Sequence, residues 1–97
     1  MPHRFLHVFI EPKEGVTRET VEEKLNGALD WYRYRDGSYV VLTTREVNKW
    51  QSLLRELVDP GGGLLIVDFD PVTIQGWMAQ RFWDWLKEAR AKAKGKS

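Results

Sequence analysis

The feature that most constrains this fold is a short apolar run between two breaks in the chain. Leu64-Leu65-Ile66-Val67-Asp68-Phe69 follows three glycines and precedes Asp70-Pro71. Glycine disfavours a helix and proline cannot donate a hydrogen bond to a β-ladder, so regular structure is expected to begin after the glycines and to end before the proline. A run of this length predicts a strand buried on much of both faces. Alternation then places Leu65, Val67 and Phe69 on one face, and Leu64, Ile66 and Asp68 on the other.

The composition predicts one small domain that spans residues 1–97. The sequence has 97 residues, no cysteine and a formal net charge of +1. These values exclude a disulfide framework and argue against a strongly basic nucleic-acid-binding surface. No apolar run approaches the ~20 residues that span a bilayer, so we expect a soluble cytoplasmic protein. From about residue 87 to 97 the chain becomes basic, which predicts a basic helix end or tail.

The other apolar patterns predict six further elements. Strands are expected at Phe5–Ile10, Trp31–Tyr34 and Tyr39–Thr43, and helices after Thr17, after Thr44 and from about Thr73 to Lys94. With the strand at Leu64, the order is β-α-β-β-α-β-α. This order predicts an α+β ferredoxin-like sandwich, with a four-stranded antiparallel sheet and an additional C-terminal helix.

A two-residue turn at Asp36-Gly37 predicts the register of the central hairpin. This dipeptide is typical of a type I′ turn, which would place Tyr34 opposite Tyr39 and Tyr32 opposite Val41. One face of the hairpin would then carry Tyr32, Tyr34, Tyr39 and Val41 and no charged residue. We expect that face to meet the core.

Both faces of the predicted sheet carry large apolar side chains, which predicts a homodimer. If Leu6, Val8, Ile10, Leu65, Val67 and Phe69 face the first two helices, the outward residues are Phe5, Phe9, Leu64, Ile66, Trp31, Val40 and Leu42. Such a patch requires a cover, supplied either by a second copy or, in a monomer, by the third helix. A dimer would also let Arg33 and Arg35 meet Asp68 and Asp70. The residues expected at the interface are Phe5, Phe9, Trp31, Ile66, Trp77 and Trp83.

The order of short motifs resembles the small ferredoxin-like proteins of CRISPR adaptation and their SinR-like relatives. The matching pieces are Trp31-Tyr32, Ser38-Tyr39-Val40-Val41-Leu42-Thr43, Trp50, Leu57-Val58-Asp59, Leu64-Leu65-Ile66-Val67, Gly76 and Trp83-Asp84-Trp85-Leu86. The resemblance covers nearly the whole chain. It implies a ferredoxin-like homodimer connected with nucleic acid, and in some members a metal-dependent nuclease.

Glu11 is the candidate catalytic residue if the chain is a nuclease. Nuclease members of the resembling group place an aspartate at the end of the first strand, where this chain has Ile10 followed by Glu11. Two copies of Glu11 across a dimer would suffice for Mg²⁺, which needs few protein carboxylates. The alternative is a solvated glutamate at a strand end. Asp68 and Asp70 are expected at the opposite end of the first strand and hence outside such a site.

Basic and aromatic side chains supply the candidate nucleic-acid contacts. The candidates are Arg33, Arg35, Lys87, Arg90, Lys92 and Lys94. The last four could contact phosphates without reading sequence, or could form a solvated helix end. Trp31, Arg33 and Arg35 beside Phe5 and Phe9 could also stack bases, as in RNA-recognition modules. Trp77, Trp83 and Trp85 cannot share one helix face, so at least one is expected to be exposed or at an interface.

These residues predict a small non-catalytic binding protein, a homodimer that engages nucleic acid or a protein partner. One alternative is a divalent-metal-dependent nuclease, and another is a protein-only adaptor or inhibitor that acts through the C-terminal tryptophans. No cofactor is expected, with Mg²⁺ required only by the nuclease alternative. His3 and His7, four residues apart in a strand, do not form a metal clamp, and surface roles are expected for both.

Overall fold

The computed structural model describes residues 2–95 and confirms the predicted fold. The strands are β1 (Arg4–Glu11), β2 (Asp30–Arg35), β3 (Ser38–Thr43) and β4 (Gly63–Phe69). The helices are α1 (Arg18–Leu25), α2 (Val47–Arg55) and α3 (Gln80–Gly95), with a 3₁₀ turn at Pro71–Thr73. The last two residues of the predicted basic end lie outside the described residues. The chain is therefore an α+β ferredoxin-like fold with an added C-terminal helix.

The four strands form one antiparallel sheet in the order β2-β3-β1-β4. The strands β1 and β3 are central, and β2 and β4 are the two edges. Helices α1 and α2 pack on one face of the sheet, which we call the inner face, and α3 packs on the opposite, outer face. No helix within residues 2–95 is long and apolar enough to cross a membrane.

The inner face holds the larger core. Alternate residues of β1 point toward α1 and α2, and Trp50 of α2 is fully buried there. The Trp50 indole N–H donates to Thr43 Oγ1 at 3.2 Å, so its polar atom is satisfied. The members of this core are Leu6, Val8, Ile10, Val21, Leu25, Tyr39, Val41, Trp50, Leu54, Leu57 and Val58.

The outer face holds a second, smaller core beneath α3. Its buried members are Phe5, Val40, Leu42, Phe82, Leu86 and Ala89. Tyr32 and Tyr34 of β2 pack edge-on against Phe82, with ring centroids 5.9 and 5.7 Å apart. Lys92 pairs with Asp30 at 2.8 Å and fixes the far end of α3 over β2. The third helix thus covers part of the face for which the sequence allowed either the third helix or a second copy of the chain as the cover.

The predicted facing of β4 is wrong. Leu64 and Ile66 pack with the inner core, and Phe69 packs with the outer core. Val8 pairs with Ile66 and Phe9 pairs with Leu65. Ile66 therefore shares the inner face with Val8, and Leu65 shares the outer face with Phe9. A one-residue difference in register turns every side chain of a strand to the other face. The predicted burial on both faces is also wrong, because β4 is an edge strand whose Leu65 and Val67 are exposed.

The predicted register of the hairpin is wrong by one residue. Arg35 pairs with Ser38 as expected, but Arg33 pairs with Tyr39 because Tyr34 is an extra, bulged residue. Tyr39 and Val41 therefore share the inner face with Trp31, whereas Tyr32 and Tyr34 lie on the outer face. No non-glycine residue between 2 and 95 has a positive φ, so the turn at Asp36 is not type I′.

The third helix begins later than the sequence predicts. Thr73 ends a 3₁₀ turn, residues 74–79 are irregular, and α3 starts at Gln80. Val72, Thr73 and Ile74 are β-branched and Gly76 follows them, and these residue types weaken a helix. The helix α2 also begins at Val47 and not directly after Thr44. At α1 the prediction is confirmed, since Thr17 Oγ1 accepts from the Thr20 backbone N–H at 3.3 Å.

Candidate functional site

An apolar strip on the outer face is left uncovered by α3. The core beneath this helix includes residues of β2 and β3, Phe5, and Phe69 at the end of β4, but not Phe9, Leu65 or Val67. Phe9 is 39% exposed, Leu65 57% and Val67 42%. These three residues, adjacent across the β1–β4 ladder, are here called the open strip. Three neighbouring apolar side chains exposed on one face form a candidate interaction surface.

The two edges of the sheet differ in how they are protected. The β2 edge carries Asp30, Arg33 and Arg35 and a bulge at Tyr34, all features that discourage pairing with another strand. The β4 edge has the sequence Gly-Leu-Leu-Ile-Val-Asp-Phe, seven residues with one charge and no proline. Beside it, a groove of about 300 Å³ runs between β4 and α2 and is lined by Leu64, Leu65 and Ile66. The β4 edge is therefore open to another strand.

A cavity of about 490 Å³ adjoins the open strip. Its floor is the outer face of the sheet, its roof is the segment before α3, and the first turn of α3 closes one side. The lining residues are His7, Tyr34, Val40, Val67, Phe69, Thr73, Ile74, Gln75, Gly76, Trp77, Met78, Phe82 and Trp83. Trp77 at the rim is 98% exposed, which agrees with the prediction that at least one tryptophan of this region would be.

His7 and Tyr34 form a polar pair on the cavity floor. His7 Nε2 and the Tyr34 hydroxyl are 2.5 Å apart, and the two rings lie 5.7 Å apart between centroids. Burial lowers the pKa of the His7 imidazole below its usual value of 6.5. The neutral imidazole either accepts the Tyr34 proton or donates its own, depending on the tautomer. The pair can therefore offer a ligand either a donor or an acceptor at the Tyr34 oxygen.

Arg33, a predicted nucleic-acid contact, is engaged within the inner layer. Its Nη1 donates to Glu22 Oε2 at 2.7 Å, and the Tyr39 hydroxyl donates to the same oxygen at 3.0 Å. The hydrogen bond to Glu22 raises the pKa of the Arg33 guanidinium. Burial, reinforced by Glu22, raises the pKa of the Tyr39 phenol to about 12. This cluster joins α1 to the hairpin, so Arg33 has a structural partner on its own chain.

The other basic candidates lie on α3 and at the hairpin turn. Lys87, Arg90 and Lys94 are exposed and recur at the i, i+3, i+7 spacing that places side chains on one helix face. None of the three forms a salt bridge with any residue between 2 and 95. Lys92 points instead toward Asp30. Arg35 is exposed and donates to the Tyr34 carbonyl at 2.9 Å.

The acidic candidates are separated by the length of β1, as the sequence predicts. Glu11 is exposed at one end of β1 opposite Gly63, while Asp68 pairs with Leu6 near the other end. Asp68 accepts from Arg4 at 2.9 Å, and Asp70 accepts from the Val72 backbone N–H at 3.0 Å. Within residues 2–95 no group of three acidic or histidine side chains could hold a metal ion.

The residues expected at a dimer interface divide between surface and core. Phe9 and Trp77 are exposed, and Trp83 is half-buried at the cavity wall. Phe5 is only 5% exposed beneath α3, while Trp31 and Ile66 pack against the inner core. The surface that the fold leaves for a partner on the outer face is therefore the open strip together with Trp77.

Sequence reasoning missed the pairing of His7 with Tyr34. One signal was available: His7 stands between Phe5 and Phe9 on the same strand face, and a polar ring within an apolar face usually has a partner. The identity of that partner depends on the bulge and the hairpin register. No local pattern in the sequence marks that bulge.

No protein-family model matches this chain, and no curated protein or solved structure is significantly similar to it. The assignment to the ferredoxin-like fold therefore rests on the chain's own topology.

Proposed function

We propose that this protein is a non-catalytic binding protein that works as a homodimer and contacts nucleic acid through α3. The observation that carries the proposal is the unprotected β4 edge beside the open strip. Kinship with the CRISPR-adaptation group is the finer part of the same proposal, and it is supported by the whole-chain pattern of motifs and by the ferredoxin-like topology.

A second copy fits the β4 edge for geometric reasons. Two antiparallel β4 strands related by a twofold axis would satisfy each other's unpaired backbone groups and extend the sheet to twice its width. In the same arrangement Leu65 and Val67 of one copy would approach Val67 and Leu65 of the other on the outer face, and the two open strips would merge. The charged and bulged β2 edge would stay free of partners.

The basic face of α3 supports nucleic acid as the partner of the dimer. Lys87, Arg90 and Lys94 share one exposed face and have no salt-bridge partner among the residues that the structure describes. Such lysines and arginines contact phosphates without reading base sequence. A dimer would present two of these faces, which doubles the positive charge available to one strand or duplex.

The dimer is tested by sedimentation equilibrium of the full chain and of Leu65→Lys. A lysine on an edge strand discourages strand pairing, so we expect a dimer for the original chain and a monomer for the variant. Leu29→Lys is the matched control, because Leu29 is 51% exposed and lies before β2. A monomeric original chain, or a dimer unaffected by Leu65→Lys, would contradict the proposed interface.

Nucleic-acid binding is tested by titrating single- and double-stranded DNA and RNA at several salt concentrations. Removing the three charges with Lys87→Gln, Arg90→Gln and Lys94→Gln is expected to weaken binding. The slope of log affinity against log salt should fall by about 0.7–0.9 for each phosphate that the variant no longer neutralises. Lys49→Gln on α2, also exposed, is the control. No binding at low salt would redirect the proposal to a protein partner. Cleavage in Mg²⁺ that Glu11→Ala abolishes would overturn its non-catalytic part.

A further inference from the structure

We propose that the cavity above His7 and Tyr34 binds an uncharged planar aromatic molecule of one or two fused rings. The site adjoins the open strip, with which it shares Val67, and is separate from the basic face of α3. Its class of ligand follows from the size of the cavity, its aromatic walls and the polar pair formed by His7 and Tyr34.

The cavity has the dimensions of a small-molecule site. Its volume of about 490 Å³ falls within the roughly 300–1,000 Å³ usual for ligand pockets. Three separate parts of the chain line it, namely the sheet, the segment before α3 and the first turn of α3. A site walled by elements that pack in a common core is largely formed before a ligand arrives.

The walls favour an aromatic ligand. Four aromatic rings line the cavity, namely Tyr34, Phe69, Phe82 and Trp83, and the exposed ring of Trp77 lies at its rim. Tyr34 and Trp83 both pack edge-on against Phe82, with centroids 5.7 and 4.9 Å apart. Aromatic rings attract further rings in offset or edge-to-face geometry beyond the effect of area alone. Val67 and Met78 add aliphatic and thioether groups to the lining.

The lining disfavours an anionic ligand and is compatible with an uncharged one. None of the lining residues is a lysine, arginine, aspartate or glutamate, and burial favours the neutral form of His7. A phosphate or carboxylate in this cavity would lose its hydration without gaining an ionic partner, which is unfavourable. This property separates the cavity from the basic face of α3.

The polar pair His7–Tyr34 would fix the orientation of the ligand in the cavity. The Tyr34 hydroxyl oxygen has one hydrogen-bond partner on the chain, His7 Nε2 at 2.5 Å. It can form a second hydrogen bond with a ligand. A ligand with one ring N–H or one ring nitrogen would meet this oxygen while its ring lies among the aromatic walls. Pockets of this kind use a few placed polar groups to fix orientation and apolar area to provide affinity.

The test is a titration of the ¹⁵N-labelled full chain with indole, followed by the indole N–H signals of Trp77 and Trp83. We expect saturable shifts at these two signals. Indole-3-carboxylate, which adds one charge to the same ring, is expected to bind at least about tenfold more weakly. Shifts spread over the surface, or equal affinity for the two compounds, would overturn the proposal.

Two variants locate the binding. Tyr34→Phe keeps the ring but removes the hydroxyl, and we expect it to weaken indole binding about fivefold, as for one neutral hydrogen bond. Tyr32→Phe is the matched control, because Tyr32 packs on the same Phe82 ring but does not itself line the cavity. Met78→Trp should fill the cavity and abolish binding, with circular dichroism to verify the fold. Equal affinities for Tyr34→Phe and Tyr32→Phe would overturn the assigned polar contact.

A second copy of the chain is the competing occupant. Trp77 is nearly fully exposed at the rim and could enter the cavity of a partner. In that case the Trp83 signal would move with protein concentration in the absence of indole, and Trp77→Ala would abolish the movement. That result would overturn the small-molecule assignment. A Trp83 signal independent of concentration would support it.

Discussion

At the scale of single residues, His7 is a polar ring packed onto the largely apolar outer face of the sheet. Its ring lies half-buried on the sheet, in contact with the Tyr34 hydroxyl at 2.5 Å. The sequence indicated only a surface histidine on a strand. A histidine becomes a buried polar group or a solvated one according to what packs above it, and here the covering elements are α3 and the segment before it.

The lowered pKa of His7 predicts a pH-dependent stability. Because the folded-state pKa lies below the unfolded value of 6.5, the unfolded chain binds the proton more readily between those two pH values. The free energy of unfolding is therefore expected to be highest above pH 6.5, to fall as the pH drops through that value, and to level off below the folded-state pKa. Urea denaturation between pH 8 and pH 4 measures this contribution.

His7→Leu should remove the contribution of His7 to this pH dependence. His3→Leu, the same substitution four residues earlier, serves as the control. A pH dependence of unfolding that is the same in both variants would show that burial of His7 does not affect stability in this way.

At the scale of elements, the connection from α2 to β4 is held tightly against the end of β1. The Gly62 backbone N–H donates to the Val58 carbonyl at 2.7 Å, and the Lys13 N–H donates to the Leu57 carbonyl at 2.8 Å. A Cβ at Gly62 would lie 2.2 Å from the Glu11 carbonyl oxygen. Only a glycine at position 62 lets the chain pass this point without a shift of the backbone.

Gly62→Ala is accordingly expected to lower the free energy of unfolding by about 1–3 kcal/mol, as overpacking against backbone usually does. Gly76→Ala is the matched control, since a Cβ there meets nothing within 4 Å, and its effect should stay within about 0.5 kcal/mol. Urea denaturation of the two variants gives the comparison. Equal effects would mean that the connection can shift to accept a side chain.

The element order was predictable because its signals are local. Thr17 caps α1, proline ends β1 and β4, and alternating apolar residues mark β1 and β3. The start of α3 was not predictable from apolar spacing, because spacing does not record the helix-weakening effect of Val72, Thr73, Ile74 and Gly76. As a result Trp77 lies outside the helix, exposed at the cavity rim.

At the scale of the whole molecule, helices pack on both faces of the sheet, but they cover the inner face more completely than the outer face. Two helices cover the inner face, whereas one helix covers only part of the outer face and leaves Phe9, Leu65 and Val67 exposed. This open strip lies beside the less protected edge. Both features occur on the same side of the molecule, which is why the proposed homodimer accounts for them together.

The proposed dimer predicts that stability depends on protein concentration. A second copy that binds only the folded state stabilises that state by mass action. The thermal midpoint of the original chain should therefore rise with concentration, and the midpoint of Leu65→Lys should not. Leu29→Lys is expected to behave like the original chain. A midpoint that is independent of concentration for all three chains would contradict a folded dimer.

The sequence by itself determined the order of the elements and the fold class. Turn residues, caps and apolar alternation act over a few neighbours, and their order leaves few topologies open. The tertiary structure alone decided which face each strand presents, that β4 lies at an edge, and that His7 meets Tyr34. These outcomes depend on register between segments far apart in the chain and on a one-residue bulge at Tyr34. Register reverses faces without changing any local signal, so no local pattern could have revealed the cavity or the open strip.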